Sequence, residues 1–567
     1  MKKYSTPGVR RSILELEHEY EKGINEDLAK VMTAWAYIKA LPPDDPNSFF
    51  IIGGFHGEPF AGEGATNPQW WGGYCNHANV LFPTWHRAYL HRLEKALQTT
   101  PGCEDVMMPY WDETDTYSTT YGIPHSLTDQ YFTFRHTVPD CLKAQHIWCA
   151  GKKIENPLAS FTFPAAITDT IQGDFSDYSK PEGYKTVRYP LSGLVGSSDF
   201  QEQTAEHNSM FTDYNTNVAI LNANILQWLN YQVYYVPDAN FSPSDKPPVH
   251  TTAAGIAKAF ADCLDAPNYN AFSNVQSAAH FNEVNAPEKQ VVALEQPHND
   301  IHLSVGGFNL PATVNQGGPG SDFSQISDAN ADMGENDTAG LDPIFYFHHC
   351  NIDRVFWLWQ QKHGFTDHLE ISADPNDPGN FNGYNGGNGQ GPANGQTENE
   401  MLRMDTALQP FRKANGDFYT SADCVNIEKQ LGYQYSEGSL APQKKRTELV
   451  SAAVEPKSSL KLHISGINRA GIKGSFIVAA FATVKNRKYL LGYHSVLSRW
   501  KVEGCANCQV HLNVFGSIGL HMYTTEQVKE MDFHVELHGR EGRNKARFEK
   551  FRALSSTDNK PYKLEIR

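Results

Sequence analysis

The chain has no run of about 18 apolar residues, so no segment reads as a membrane-spanning helix. It also lacks an excess of basic charge. Its 48 lysines and arginines stand against 64 aspartates and glutamates, a formal net charge of −16. That balance argues against a nucleic-acid partner or an anionic membrane surface, which bind through Lys and Arg. Cysteine is sparse, nine in 567 residues, odd in number and irregular in spacing. This is no disulfide scaffold, and most of these thiols are expected to be reduced and buried as small apolar groups. Two lysines follow the opening methionine with no apolar stretch behind them, so the start does not read as a secretory leader and a cytoplasmic protein is expected. No internal repeat is visible, which speaks against a tandem array. What remains is an ordinary globular composition, 40% apolar and 20% charged, long enough for two or three domains.

Histidine is where the chain concentrates its chemistry. One group is His56, then His77 in Cys75-Asn76-His77, then His86 in FPTWHRAYLHRLEKAL. The other is His298 and His302 in LEQPHNDIHLSVGG, with His349 in DPIFYFHHCNIDR. Neutral imidazole is the commonest protein ligand for copper and zinc, and it also suits iron. Two groups of three suggest two metal ions held close together. His298 and His302 are i and i+4, one above the other on a helix face. Glu295 and Asn299 fall on that face too, themselves i and i+4, so their oxygens can share a water beside a metal. Pro83 to Gln98 reads as a helix with proline in its first turn and an inward stripe of His86, Leu90, Leu93 and Leu97. His77, nine residues before His86, would lie on the opposite face of one continuous helix, so it belongs to a preceding loop. His348 and His349 are about 100° apart on a helix, so at most one readily faces a metal. Phe345, four residues before His349, lies against its ring. Asp353, four residues after it, is expected to orient a ligand imidazole. Phe82, four before His86, is a second candidate wall of the site.

These motifs, taken in order, resemble the type 3 dicopper family of tyrosinases, catechol oxidases and molluscan haemocyanins. The first copper site of that family is matched by His56, His77 and His86, and the second by His298, His302 and His349, with His348 left as a neighbour. The resemblance implies two copper ions as cofactor, O2 as co-substrate and small phenols as substrates. It implies a thioether between Cys75 and His77, Phe345 as a gate over the second copper, and Glu295 with Asn299 as the water-holding pair linked to phenol deprotonation. It covers residues 10 to 436 and closes on LGYQY, similar to a Tyr-x-Tyr motif of fungal-type members. The implied fold is a mainly α, four-helix-bundle catalytic domain with long loops. The implied reaction is o-hydroxylation of monophenols and oxidation of o-diphenols to o-quinones. Catechol oxidase without hydroxylation and an O2-carrying haemocyanin-like unit are the alternatives.

The remaining organisation follows from composition. The first 40 residues carry a helical period and are expected to pack outside the core. Residues 101 to 290 read as loops and short helices. After the catalytic domain, 1–436, comes a polar linker, 437–457, bearing Lys444-Lys445-Arg446 as a candidate protease site. From 458 to 567, short runs such as KLHISGI, SFIVAAFATV and KYLLGYHSVL are strand signals separated by turns, and predict a β-sandwich. That layout resembles the C-terminal domain of haemocyanin units and fungal pro-tyrosinases, in which an apolar side chain fills the active-site mouth. Val496 and Leu497, in HSVLSRW, are the candidates for it. Cys505 and Cys508 form a CxxC with no second pair to complete a tetrahedral zinc site and no thioredoxin-like context. Thiolates favour Cu(I), and in fungal-type relatives the motif assists copper loading. The sequence leaves the oligomeric state open, a homo-oligomer included.

Overall fold

The computed structural model describes residues 7–57, 73–167, 179–230, 255–285, 290–308, 331–381, 400–441, 460–469, 474–484, 487–498, 513–520, 523–539 and 562–566, with the short pieces 232–233, 235–236 and 250–251 and the single residues 396 and 472. Helix α1 spans Ile13–Lys22 and α2 spans Asp27–Lys39. The expectation that this N-terminal region packs outside the core fails for α2. Its Leu28, Val31, Met32, Ala34, Trp35 and Ile38 are all buried, and a helix apolar on most sides is a core helix. Trp35 stacks on Phe347 at 5.7 Å, which ties α2 to the helix carrying His349. In α1 only the stripe of Ile13, Leu16, Glu17 and Tyr20 is buried.

Four further helices bring histidines to the middle. Helix α3 spans Phe49–Gly57 and carries His56 at its end. Gly340 lies against it, and a Cβ there would come within 2.8 Å of His56 Cβ and 2.7 Å of Gly53 O, so only glycine permits this approach. Helix α4 spans Phe82–Leu97 with Pro83 in its first turn, as the sequence predicts. A 17-residue helix, α5, Tyr214–Asn230, breaks the loop-and-short-helix expectation for the middle of the chain. Its Asn224 Nδ2 donates to Ser304 O at 2.8 Å. Helix α6 is Val275–Val284, and α7, Glu295–Gly306, ends at Gly307 in the left-handed conformation, the usual glycine stop. Helix α8, Ile344–His363, is the longest at 20 residues. Helices α2, α4, α7 and α8 frame the site.

The chain's start and the end of this helical unit are stitched together. Strand β1, Gly8–Arg10, pairs in parallel with β3, Tyr433–Tyr435, within the LGYQY motif. Beyond it, Ser439 N donates to Asp112 Oδ2 at 2.7 Å and Arg354 Nη2 donates to Ser439 O. The first residues of the expected linker are therefore docked on the helical unit. Lys444-Lys445-Arg446 lies outside the described residues.

The C-terminal strands form two sheets, as the alternation predicts. Strands β4, Lys461–Asn468, β7, Asn513–Gly519, and β9, Lys563–Ile566, make one with β4 in the middle. Strands β5, Phe476–Val484, β6, Arg487–Val496, and β8, Asp532–Gly539, make the other, with β5 between its partners. A strand from the first half of the chain, β2, Tyr235–Val236, pairs with β6 through Lys488↔Val236 and Tyr489↔Tyr235. Strand β5 explains its own continuous apolar run. Phe476, Val478, Ala480 and Ala482 face the sandwich interior, while Ile477, Ala479 and Phe481 join the core of the helical unit. Alternate side chains point to opposite faces, so a strand covered on both sides must be apolar throughout.

Candidate metal centre

The first cluster is His56, His77 and His86, whose ring nitrogens lie within 4.8 Å of one another. His56 Nδ1 is 2.9 Å from Asn336 O, and His86 Nδ1 is 2.8 Å from Phe82 O. Those carbonyls fix the tautomer, with Nδ1 protonated and Nε2 bearing the lone pair. His86 Nε2 is buried with no hydrogen-bond partner, and burial drops this imidazole to about 3, so it is neutral and a donor to a cation. His77 sits on a loop, as its spacing from His86 requires. Ala78, next to it, has φ 56°, a left-handed conformation costing a non-glycine residue roughly 1–2 kcal/mol. Glu295 Oε1 accepts from Ala78 N at 2.7 Å and holds the loop there.

The second cluster gathers His298, His302, His348 and His349 within the same 4.8 Å. His298 Nε2 and His302 Nε2 lie 3.1 and 3.3 Å from His349 Nε2. Burial, then mutual repulsion, holds all three far below the ordinary histidine range. Three lone-pair nitrogens converging in a dry site fit a metal ion, and three imidazoles leave positions open to further ligands. His302 Nδ1 is set by Met333 O at 2.9 Å, and His298 Nδ1 lies 2.9 Å from Asn299 Oδ1. The two clusters meet where His86 stacks on His349 at 4.5 Å and 21°.

Apolar rings close the site. Phe345, fully buried, stacks on His349 at 3.9 Å and meets His56 edge-on at 4.8 Å. Phe82 is 4.8 Å from both His86 and His298, so its ring lies between one histidine of each cluster. Glu295 is buried, and its Oε2 accepts from Val275 N at 3.0 Å. Burial pushes its carboxyl up to about 7, against the opposing pull of the two N–H donors and of Arg469 from the β-sandwich. Cys75 is a buried thiol whose Sγ lies 3.6 Å from Asn336 Nδ2.

Asp353 requires correction, because it orients no imidazole. It accepts from Arg87 Nε at 2.5 Å, Arg10 Nη1 at 3.3 Å, Tyr433 OH at 2.6 Å and Tyr435 OH at 2.5 Å. One turn beyond His349, on the same helix face but about 6 Å further along the axis, the side chain meets two buried arginines instead of the metal side. The orienting groups are instead three backbone carbonyls and the Asn299 amide, none with a sequence signature as a ligand partner. Val496 is likewise no plug of the site, since it belongs to the sandwich core at 3% exposure. The alternation turns Leu497 the other way, half-buried against the helical core. Cys505 and Cys508 lie outside the described residues. Sequence reasoning missed Glu113, whose Oε1 is 2.6 Å from His348 Nδ1 across 235 residues. No spacing rule could find it, since PYWDET carries no histidine.

Two facing clusters of imidazoles in a helical frame define a protein built for a pair of metal ions. Residues 46–362 match the family described as the common central domain of tyrosinase. The tyrosinase HcTyr2 of a Hahella species is 42% identical over 94% of this chain and 92% of its own length. A tyrosinase of Aspergillus oryzae is 38% identical over 96% and 95%. The solved tyrosinase of Burkholderia thailandensis at low pH superposes with a TM-score of 0.80 at 43% identity, covering 99% of this chain and 100% of that one. The chain belongs to the tyrosinase family. Its cofactor is a dicopper centre, and its substrates are phenols.

Proposed function

We propose that the chain hydroxylates monophenols at the ortho position and oxidises o-diphenols to o-quinones, using O2. The observation that carries this is the face-to-face placement of the two clusters through the His86–His349 stack. His56, His77 and His86 would hold one copper, and His298, His302 and His349 the other. Bound there, two copper ions supply O2 binding and the redox chemistry. The protein contributes geometry, dryness and a base. Glu295, held near neutral pH by burial, is matched to taking a phenolic proton through a bound water. Each carboxylate oxygen keeps a lone pair after accepting one backbone N–H, so each can accept one further hydrogen bond. Phe345 limits where a ring can lie. We assign a thioether to Cys75 and His77, which would lock the His77 ring.

The β-sandwich is read as a cover and copper-loading module. In support, Ser475 Oγ donates to Gly334 O at 3.0 Å, Tyr493 meets Trp228 of α5 at 4.9 Å, and Gln276 of α6 donates to Asn513 O at 3.1 Å. Leu497 is the side chain of HSVLSRW that packs toward the helical core. A cytoplasmic location remains this reading's expectation from the sequence. One observation favours oxidation of diphenols alone: both Glu295 oxygens and the Asn299 oxygen already have partners within the protein. The assay that decides is O2 uptake with a monophenol and then with the matching diphenol. Quinone from both establishes hydroxylation, and quinone from the diphenol alone selects the second reading.

A further inference from the structure

The second cluster leans on a carboxylate that no histidine motif indicates. Glu113 and His348 both have zero side-chain exposure. A buried carboxylate persists only where its oxygens are satisfied. Here Oε1 meets His348 Nδ1 at 2.6 Å, and Oε2 accepts from Asn351 Nδ2 at 2.8 Å. Asn351 Oδ1 in turn lies 3.4 Å from Arg354 Nη1. The chain His348, Glu113, Asn351, Arg354 is thus a continuous polar strut along α8.

His348 is the part of the strut that reaches the metal side. Its ring lies parallel to His298 at 5.3 Å and 25°, and edge-on to His302 at 5.3 Å and 83°. It therefore forms a wall against both imidazoles that α7 contributes. The rotation of that wall about its own χ2 is set by the bond to Glu113.

We propose that Glu113 and His348 are positioning residues of the second copper site: Glu113 fixes the His348 ring, and the ring holds His298 and His302 at the angles that converge on His349. The inference rests on the function proposed above. It assigns the pair no contact with substrate. A group that orients metal ligands through one intervening ring typically alters metal affinity by roughly 10–100-fold when removed.

The test is copper retention by the whole protein. Copper per chain is counted by elemental analysis while a competing chelator is titrated, and apo-protein melting is recorded beside it. Glu113→Gln keeps an acceptor for His348 but turns an NH2 toward the Asn351 NH2, donor against donor. The expected result is one copper lost at roughly 10–100-fold lower chelator than in wild type and the other unchanged, a selectivity that a lowered apo melting temperature alone would not produce. Glu113→Gln combined with Asn351→Asp restores a donor–acceptor pair between the two side chains, and should recover the lost retention. His348→Phe keeps the ring and loses the bond, so it should bind two coppers without chelator and surrender one under it. Loss of both coppers together, unchanged retention, or loss from the first site overturns the proposal. So does loss of copper by His348→Phe with no chelator present, which would make His348 a ligand. If Glu113→Gln does not fold, Glu113→Asp, shorter by one methylene, is read in the same way. Wild-type protein that binds no pair of coppers would instead refute the function on which the inference rests.

Discussion

At the scale of single residues, Glu295 and Asn299 separate in role although they share a helix face. Glu295 is the residue proposed as the base, and burial raises its carboxyl to about 7. A carboxyl raised in this way is protonated below that value, so the base is present above it and lost as pH falls. Copper nearby adds positive charge and favours the carboxylate, so the acid limb of hydroxylation is expected at or below pH 7. Glu295→Gln should lower monophenol turnover roughly 10²–10⁴-fold beyond any effect on diphenol turnover, because the more acidic diphenol needs less help from a base. Initial rates on both substrates across pH 4 to 9 check this. A loss equal for both would reduce Glu295 to a holder of the His77 loop. Asn299 behaves otherwise, since its oxygen takes His298 Nδ1. Asn299→Ala should weaken copper retention roughly 10–100-fold and depress both activities together. Selective loss of hydroxylation would restore Asn299 to the water-holding role that the sequence suggests.

At the scale of elements, Asp353 ties α8 to α4, β1 and β3 through Arg87, Arg10 and the two tyrosines of LGYQY. Asp353→Asn leaves two buried guanidinium groups short of a counter-charge, although Arg10 keeps Glu94 at 2.9 Å. The expected cost is about 3–5 kcal/mol in denaturant unfolding, with copper still bound to the folded fraction. What was legible in the sequence follows the same logic of range. His298 and His302 share one helical turn, and the C-terminal strands declare themselves by alternation or, in β5, by a short continuous apolar run, so local pattern gives both. Asp353 looked like a ligand's neighbour because its arginines are 266 and 343 residues away. Glu113 was invisible for the same reason. The helical period of the first 40 residues does not separate α2, buried on most sides, from α1, buried along one stripe. Val496 and Leu497 are indistinguishable in the sequence because a one-residue shift in a strand exchanges faces, and only the register of β6 against β5 decides between them.

At the scale of the whole molecule, the β-sandwich is fastened to the helical unit by β5, apolar on both faces, and by the pairing of β2 with β6. A cut between residues 442 and 459 leaves those contacts in place, so nicking alone should release the cover slowly. Leu497→Gly should raise activity on bulky phenols in the intact chain, because a covered site is available only for the fraction of time it is open. Val496→Ala should instead cost about 2 kcal/mol of sandwich stability with little change in substrate range. If the two substitutions exchange effects in a paired activity and melting assay, the assigned facing of β6 is wrong. The central claim is that two sets of three imidazoles each hold one copper and act as a unit. Elemental counting of copper in wild type and in six single His→Ala variants, with diphenol oxidation measured on the same samples, tests it most directly. Two coppers per wild-type chain, a lowered count with each of His56, His77, His86, His298, His302 and His349, and oxidation abolished in all six are predicted. Two coppers and full activity retained by His302→Ala would contradict it.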